Sequence, residues 1–262
     1  MSRIAATFAR LRAEKRRGFI PFITAGDPTP DATRALILEL ARAGATLIEL
    51  GVPFSDPMAD GPVIQRASER ALRNGVGVAE VLAAVADARR ETDVPIVLFS
   101  YYNPLLQFGA ERLCAEARGA GVDGMLVTDL APEESTEFAA TLRSHELDLI
   151  FLVAPTSTDE RLRRIAERAS GFIYAVSRAG VTGVQSESSA EAGRLVGRVR
   201  AVTELPVAVG FGISTREQVA DVWRYADAAV VGSAIVAELE KQGDSPGTVA
   251  HVGRFARGLL PS

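Results

Sequence analysis

Short apolar runs alternate with longer amphipathic runs along almost the whole chain. The short runs are rich in Val, Ile, Leu and Phe, and they are nearly continuous in apolar residues, as expected for strands buried on both faces of a sheet. The longer runs carry apolar residues at helical spacing among Ala, Arg and Glu. The pattern predicts eight strands, at 18–24, 46–51, 94–99, 123–128, 148–153, 171–177, 205–210 and 227–232.

Helical runs follow most of the predicted strands, which indicates a parallel sheet covered by helices. Eight such units within 262 residues favour an α/β fold, a single closed (β/α)8 or TIM barrel that takes in residues 1–262. A doubly wound open sheet is the alternative, although the first strand-to-helix turn, at 25–30, has no Gly-x-Gly-x-x-Gly. An extra amphipathic helix is predicted over 3–14, before the first strand.

Two connections are longer than a minimal strand-to-helix unit. After the second strand there is room for a loop at 52–61 and two helices, near 62–73 and 78–91. After the sixth strand, a polar loop at 178–189 precedes a predicted helix at 190–203. In a barrel both insertions emerge at the C-terminal face, where active sites are built, and a long loop there is typical of a lid.

Composition narrows the range of functions. The net charge of −4 argues against a general nucleic-acid-binding surface, but backbone amides can bind phosphate without a basic surface. A single cysteine, Cys114, excludes an intramolecular disulfide, and its helical context favours a packed, inert thiol. His145 and His251 lie in helical segments, so we expect no metal site. No apolar signal core or membrane-spanning run is found, so we expect a cytoplasmic protein without membrane contact.

Glu49 is the ionisable residue of the second predicted strand. Because side chains alternate along a strand, it shares a face with Leu47, while Ile48 and Leu50 point toward the helices. A carboxyl group among apolar neighbours has its pKa raised toward the range useful for acid–base chemistry. A structural ion pair is the alternative, but no Lys or Arg lies on the facing strand segments. We therefore predict a catalytic carboxyl group at the barrel mouth.

Asp60 is a second carboxylate, eleven residues further on in the following loop. A strand end and its loop can bring two acids to bear on one bound molecule from different sides. Asp60 precedes Gly61 and Pro62, so it could equally cap a helix. Asp56, before Pro57, could likewise be a turn former.

Glycine-containing turns after the last three strands predict a phosphate site. Loops after strands seven and eight form such sites in many (β/α)8 enzymes, because glycine lets backbone N–H groups approach the oxygens and a helix N-terminus adds positive potential. Ser233 adds a hydroxyl donor at a predicted helix start. The candidate phosphate-binding residues are Gly183, Gly212, Gly232 and Ser233.

Apolar and aromatic residues also gather near the strand C-termini. Each could be a core residue, but together they could line a pocket for a flat apolar ring system. They are Phe22, Ile64, Tyr101, Leu126, Tyr174 and Phe211.

Five motifs together resemble the tryptophan synthase α subunit family, in order and over essentially the whole chain. They are PFITAGDP at 21–28, ELGVPFSDPMADGPVIQ at 49–65, SRAGVTG at 177–183, GFGIS at 210–214 and GSAIV at 232–236. The second motif is long and highly specific. One departure is Ala131, where the family often has proline, and it puts one partner contact in doubt.

The resemblance implies a lyase that cleaves indole-3-glycerol phosphate to indole and glyceraldehyde 3-phosphate by a cofactor-free retro-aldol reaction. Glu49 would protonate the indole ring carbon and help deprotonate the glycerol hydroxyl, and Asp60 would balance the charge on the indole N–H. Arg178 and Thr182 would belong to the lid, with Thr182 bonding to Asp60. The glycines and Ser233 would hold the phosphate, and the apolar set would surround the indole.

The resemblance also implies a partner, a pyridoxal-phosphate-dependent β subunit in an αββα assembly, with Pro53, Asp56 and Asn103 facing it. A sugar-phosphate isomerase or a standalone indole-glycerol-phosphate lyase on the same barrel is an alternative. A non-catalytic activating subunit that only binds phosphate is another, although a mere binder has no use for a buried acid.

Overall fold

The fold was determined as a computed structural model, which describes residues 1–176, 185–210 and 212–261, without the side chains of 185–188. Eight parallel strands in this part of the chain form a closed barrel in which each strand pairs with its sequence neighbours and the last pairs with the first. The closed barrel confirms the predicted (β/α)8 architecture. The strands are β1 (Gly18–Thr24), β2 (Ile48–Gly51), β3 (Ile96–Ser100), β4 (Gly124–Val127), β5 (Asp148–Val153), β6 (Ile173–Val176), β7 (Val207–Gly210) and β8 (Ala228–Val231).

The helices of the described residues cover the outside of the barrel, and one of them covers its lower end. They are α1 (Arg3–Ala13), α2 (Pro30–Ala43), α3 (Pro62–Arg73), α4 (Val78–Arg89), α5 (Tyr102–Phe108), α6 (Ala110–Ala120), α7 (Thr136–Ser144), α8 (Asp159–Arg168), α9 (Gln185–Arg200), α10 (Arg216–Val222), α11 (Ser233–Gln242) and α12 (Thr248–Gly258). None of these helices is long and apolar enough to cross a membrane.

The alternation of side chains along the strands divides the core into an outer and an inner layer. Ile48 and Leu50 of β2 pack in the outer cluster with residues of the surrounding helices, whereas Leu47 belongs to the cluster inside the barrel. Helix α1 closes the N-terminal end of this inner cluster, where the rings of Phe8 and Phe172 lie 5.8 Å apart. The C-terminal end therefore remains as the face on which a site can open.

Most predicted boundaries agree with the structure within two residues, but the region after β6 does not. Helix α9 begins at Gln185, five residues before the predicted start at 190, so the predicted loop at 178–189 is wrong over its last five residues. The polar run Gln185–Ser189 lacks helical apolar spacing, which is why the pattern placed it in a loop. Helix α5 was not predicted because it is only seven residues long.

Candidate active site

Glu49 lies inside the barrel, as its spacing predicted. It pairs with Phe22 of β1 on one side and with Val97 of β3 on the other. The side chain is 1 % exposed, and its Oε1 has no hydrogen-bond partner in the described part of the chain. Burial raises the pKa of this carboxyl group from 4.5 to about 8. Glu49 is therefore protonated at neutral pH and can act as a proton donor.

Asp60 lies in the loop that leaves β2 and is held by Tyr101. The Tyr101 hydroxyl accepts a hydrogen bond from the Ala59 N–H at 2.8 Å and bonds to the Asp60 carboxylate. Burial raises the pKa of Asp60 to about 6, and the bond from Tyr101 opposes that shift. At neutral pH Asp60 is mostly ionised, so the two acids differ in charge.

Asp60 does not cap the helix that follows it. Helix α3 has Gly61 as its N-cap and Pro62 in its first turn, and Gly61 has no side chain that could cap it. The backbone carbonyl of Asp60 instead accepts a bond from Gln65 Nε2 at 2.8 Å. Of the two interpretations of Asp60, the structure removes the capping role.

Phe22 forms one wall of the barrel mouth. Its ring contacts the ring of Phe99 edge to face, with 5.4 Å between centroids. It lies over Gly51, where an added Cβ would come within 2.7 Å of the ring. Ile64 packs from α3 against the same small cluster, which also contains Val236 of α11. Phe22 and Ile64 thus share an apolar wall next to Glu49.

Tyr174 and Leu126 lie on the opposite side of the barrel. The Tyr174 hydroxyl lies over Gly210, where an added Cβ would be only 2.2 Å away. Its pKa is raised well above the ordinary value, mainly by burial and also by the charge of Glu49. Leu126 is fully buried in the inner cluster with Val97, and it pairs with Phe99 of β3.

Two of the predicted phosphate-binding turns lie in the described residues. Gly212, after β7, has φ of 71°, a left-handed conformation that favours glycine. Gly232, after β8, is the N-cap of the ten-residue helix α11, and Ser233 begins that helix with an exposed side chain. A Cβ added at Gly232 would be 3.5 Å from Phe22, so this turn adjoins the apolar wall.

Four predicted site residues lie outside the described residues. They are the lid residues Arg178 and Thr182, the phosphate candidate Gly183 and the pocket candidate Phe211.

The predicted partner-facing residues differ in exposure. Asp56 and Asn103 are exposed, whereas Pro53 is buried. Beside Asp56, a surface cavity of about 510 Å³ is lined by residues of the β2–α3 loop and of α3. Met58 in this lining is 89 % exposed, and Leu106, on α5, is 52 % exposed.

An ion-pair network joins α3, the helix after the Asp60 loop, to α11, the helix after the Gly232 turn. Arg70 of α3 binds the buried Asp27 through two bonds, at 2.7 and 3.0 Å, and binds Glu240 of α11 at 2.8 Å. Arg66 makes two further bonds of 2.7 Å to Glu240. The network holds α3, which follows the Asp60 loop, against α11, which begins at the predicted phosphate turn.

Two features of the site were missed from the sequence. Tyr101 was assigned to the pocket wall, but its hydroxyl holds the Asp60 loop, a contact between residues 41 positions apart. Thr24 was not singled out, although alternation along β1 places it on the same face as Phe22. It is 1 % exposed, and its Oγ1 has no partner in the described residues.

Comparison with known proteins gives one consistent result. The family model described as "Tryptophan synthase alpha chain" matches residues 8–256. The chain is 49 % identical to the tryptophan synthase alpha chain of Solibacter usitatus over 259 residues, which covers 99 % of this chain and 97 % of that one. It is 52 % identical to the alpha chain of Geobacter sulfurreducens over 254 residues, which covers 97 % and 94 %.

Solved structures that resemble this chain also come from tryptophan synthase. A crystal structure of tryptophan synthase subunit alpha from Legionella pneumophila superposes with a TM-score of 0.92 at 36 % identity, covering 99 % of this chain and 97 % of that chain. An aminoacrylate-bound crystal structure of tryptophan synthase from M. tuberculosis gives a TM-score of 0.87 at 40 % identity, covering 99 % and 100 %.

Proposed function

The chain belongs to the tryptophan synthase alpha chain family, a family of lyases, and we propose that it cleaves indole-3-glycerol phosphate to indole and glyceraldehyde 3-phosphate. The observation that carries the proposal is Glu49: a buried acid inside the barrel, protonated at neutral pH, one strand away from β1 and two from the Gly232 turn. A retro-aldol reaction needs a proton donor at the ring carbon that loses its substituent, and this acid meets that need.

Glu49 would act twice in one turnover. As an acid it gives its proton to the indole ring carbon that carries the glycerol chain. As a carboxylate it then accepts the proton of the adjacent glycerol hydroxyl. The carbon–carbon bond breaks, its electron pair returns to the ring, and the hydroxyl carbon becomes the aldehyde. The enzyme ends with Glu49 protonated again, so the cycle needs no cofactor in this chain.

Asp60 would stabilise the intermediate between these two proton transfers. Protonation of the ring carbon places positive charge on the indole N–H, and an ionised carboxylate stabilises that charge. A pKa of about 6 keeps Asp60 ionised at neutral pH. The different pKa values of the two acids support this division of roles.

The remaining assignments follow the same arrangement. Phe22, Ile64, Tyr174 and Leu126 would contact the indole, and Tyr101 would do so while holding Asp60. Gly212, Gly232 and Ser233 would hold the phosphate through backbone N–H groups and the hydroxyl. The residues outside the described part, Phe211, Gly183, Arg178 and Thr182, keep the roles that the resemblance implies.

We propose that the partner is the tryptophan synthase β subunit, which would carry the pyridoxal phosphate. The exposed Met58, which lines the same surface cavity as Asp56, supports a partner surface beside the loop that carries Asp60. Asp56 and Asn103 would contact the partner directly. Pro53, which is buried, would shape the loop that the partner contacts.

Turnover of indole-3-glycerol phosphate by the purified chain, alone and with a β subunit, tests the proposal. We expect indole release that the partner stimulates strongly and that Glu49→Gln abolishes. Full activity without the partner would favour a standalone lyase. Binding of the substrate without cleavage, even with the partner, would favour a non-catalytic activating subunit and would refute the proposed reaction.

A further inference from the structure

Strand β1 lies between the two parts of the proposed site. It pairs on one side with β2, which carries Glu49, and on the other with β8, which is followed by the Gly232 turn. A molecule that reaches from the phosphate turn to Glu49 therefore has to cross the inner face of β1. That face presents two side chains near the mouth, Phe22 and Thr24.

Thr24 is the polar member of this pair, and its hydroxyl has no partner among the described residues. In the part of the chain that the structure describes, two buried side-chain polar atoms lack a hydrogen bond, Thr24 Oγ1 and Glu49 Oε1. Both residues are 1 % exposed. Buried polar groups are nearly always hydrogen-bonded in native proteins, so an unpaired one calls for a reason. The two unpaired atoms lie on adjacent strands and on the same inner face of the barrel.

The distance between Thr24 and Glu49 matches the length of a short, hydroxyl-bearing segment of a ligand. Thr24 pairs with Gly51, and Phe22 pairs with Glu49, so the two residues are diagonal neighbours. Strand spacing and rise put their Cα atoms about 8 Å apart. Gly51 has no side chain and is covered by the ring of Phe22, so neither residue offers a polar group to the Thr24 hydroxyl. A hydroxyl-bearing chain of three carbons between ring and phosphate could contact both polar groups.

We propose that the Thr24 hydroxyl binds a hydroxyl of the substrate's glycerol chain, next to the hydroxyl that Glu49 deprotonates. This inference rests on the proposed function. Thr24 then recognises the polyol segment, for which the phosphate turns and the apolar wall provide no partner. It distinguishes a hydroxylated chain from a plain alkyl chain between the same ring and the same phosphate.

The test compares Thr24→Val, which keeps the shape and removes the hydroxyl, with Thr24→Ser, which keeps the hydroxyl. Each variant is assayed for kcat/KM with indole-3-glycerol phosphate. Each is also titrated with indole-3-propyl phosphate, which has the ring and the phosphate but no chain hydroxyls. Thr7→Val is the matched control, because Thr7 is a buried threonine of α1 at the opposite end of the barrel.

We expect Thr24→Val to lose about 3- to 10-fold in kcat/KM, the effect of one lost hydrogen bond, and to bind the propyl phosphate like the wild type. Its melting temperature should not fall, because the folded protein loses an unpaired hydroxyl. Thr24→Ser should retain most of the activity, and Thr7→Val all of it.

Two results would overturn the inference while leaving the proposed function intact: unchanged kcat/KM in Thr24→Val, or equal weakening toward both ligands. A wild-type protein that does not cleave the substrate at all, with or without a β subunit, would overturn both.

Discussion

The substitution Glu49→Gln should make the protein more stable than the wild type at alkaline pH while abolishing turnover. Gln has nearly the volume of a protonated Glu but cannot ionise. In the folded protein, burial raises the pKa of Glu49 from 4.5 to about 8. The unfolded chain ionises near the lower value, so between these two pH values the folded state holds a proton that the unfolded state has lost.

The stability of the wild type therefore falls as pH rises through this window. The contribution of Glu49 is fully present below about pH 4.5 and decreases by about 1.4 kcal/mol for each pH unit above it. The loss reaches roughly 3 kcal/mol at pH 7 and roughly 5 kcal/mol above pH 8. Gln has no proton to lose, so the free energy of unfolding of the variant should exceed that of the wild type by an amount that grows in the same way.

Urea unfolding of both proteins between about pH 5 and pH 9 measures this difference. Comparing the two proteins at each pH cancels the titration of every other group, to the extent that they fold alike. The exposed Glu111→Gln is the matched control, and its difference from the wild type should stay nearly constant. A difference that is equally constant for Glu49→Gln would show that this carboxyl group does not keep its proton in the folded protein, and the proposed acid would be lost.

Three further predictions concern the rest of the site and its support. In the wild type, kcat/KM should fall below pH about 6 and above pH about 8, because the reaction needs an ionised Asp60 and a protonated Glu49. A pH profile of kcat/KM that is flat over this range would contradict those roles. Tyr101→Phe removes a hydrogen bond that lowers the pKa of Asp60, so the acidic limb of the profile should move to higher pH; an unmoved limb would show that the bond does not matter. Arg70→Met leaves the buried carboxylate of Asp27 unpaired and should lower the free energy of unfolding by about 3 kcal/mol, as urea unfolding can measure. The exposed Arg66→Met should lower it far less, and similar losses in the two variants would show that burial of Asp27 contributes little to stability.

Local pattern was sufficient to predict the fold. Strands buried on both faces read as apolar runs, and those runs located all eight strands within two residues of their observed ends. The local sequence pattern did not predict the start of α9, because that segment forms a helix without apolar residues at helical spacing. Parallel strands joined by helices bring their C-terminal ends to one face, so the position of Glu49 inside the barrel could also be predicted.

Contacts between distant residues could not be predicted in the same way. Whether Asp60 caps α3 or joins the site was open in the sequence, because Asp-Gly-Pro suits both. The helix start at Gly61 removes the capping role, and the bond from Tyr101 supports the proposal that Asp60 belongs to the site. The pairing of Arg70 with Asp27 and Glu240 likewise joins three elements that are far apart in the chain.

The sequence by itself determined the order of elements, the inward direction of Glu49 and the presence of glycine turns, because period, alternation and backbone freedom are local properties. Only the tertiary structure decided that β1 separates the acid from the Gly232 turn, that Tyr101 holds Asp60 and that the hydroxyl of Thr24 is buried without a partner among the described residues. Those facts depend on barrel closure and on which side chains then meet, and no stretch of the chain specifies them alone.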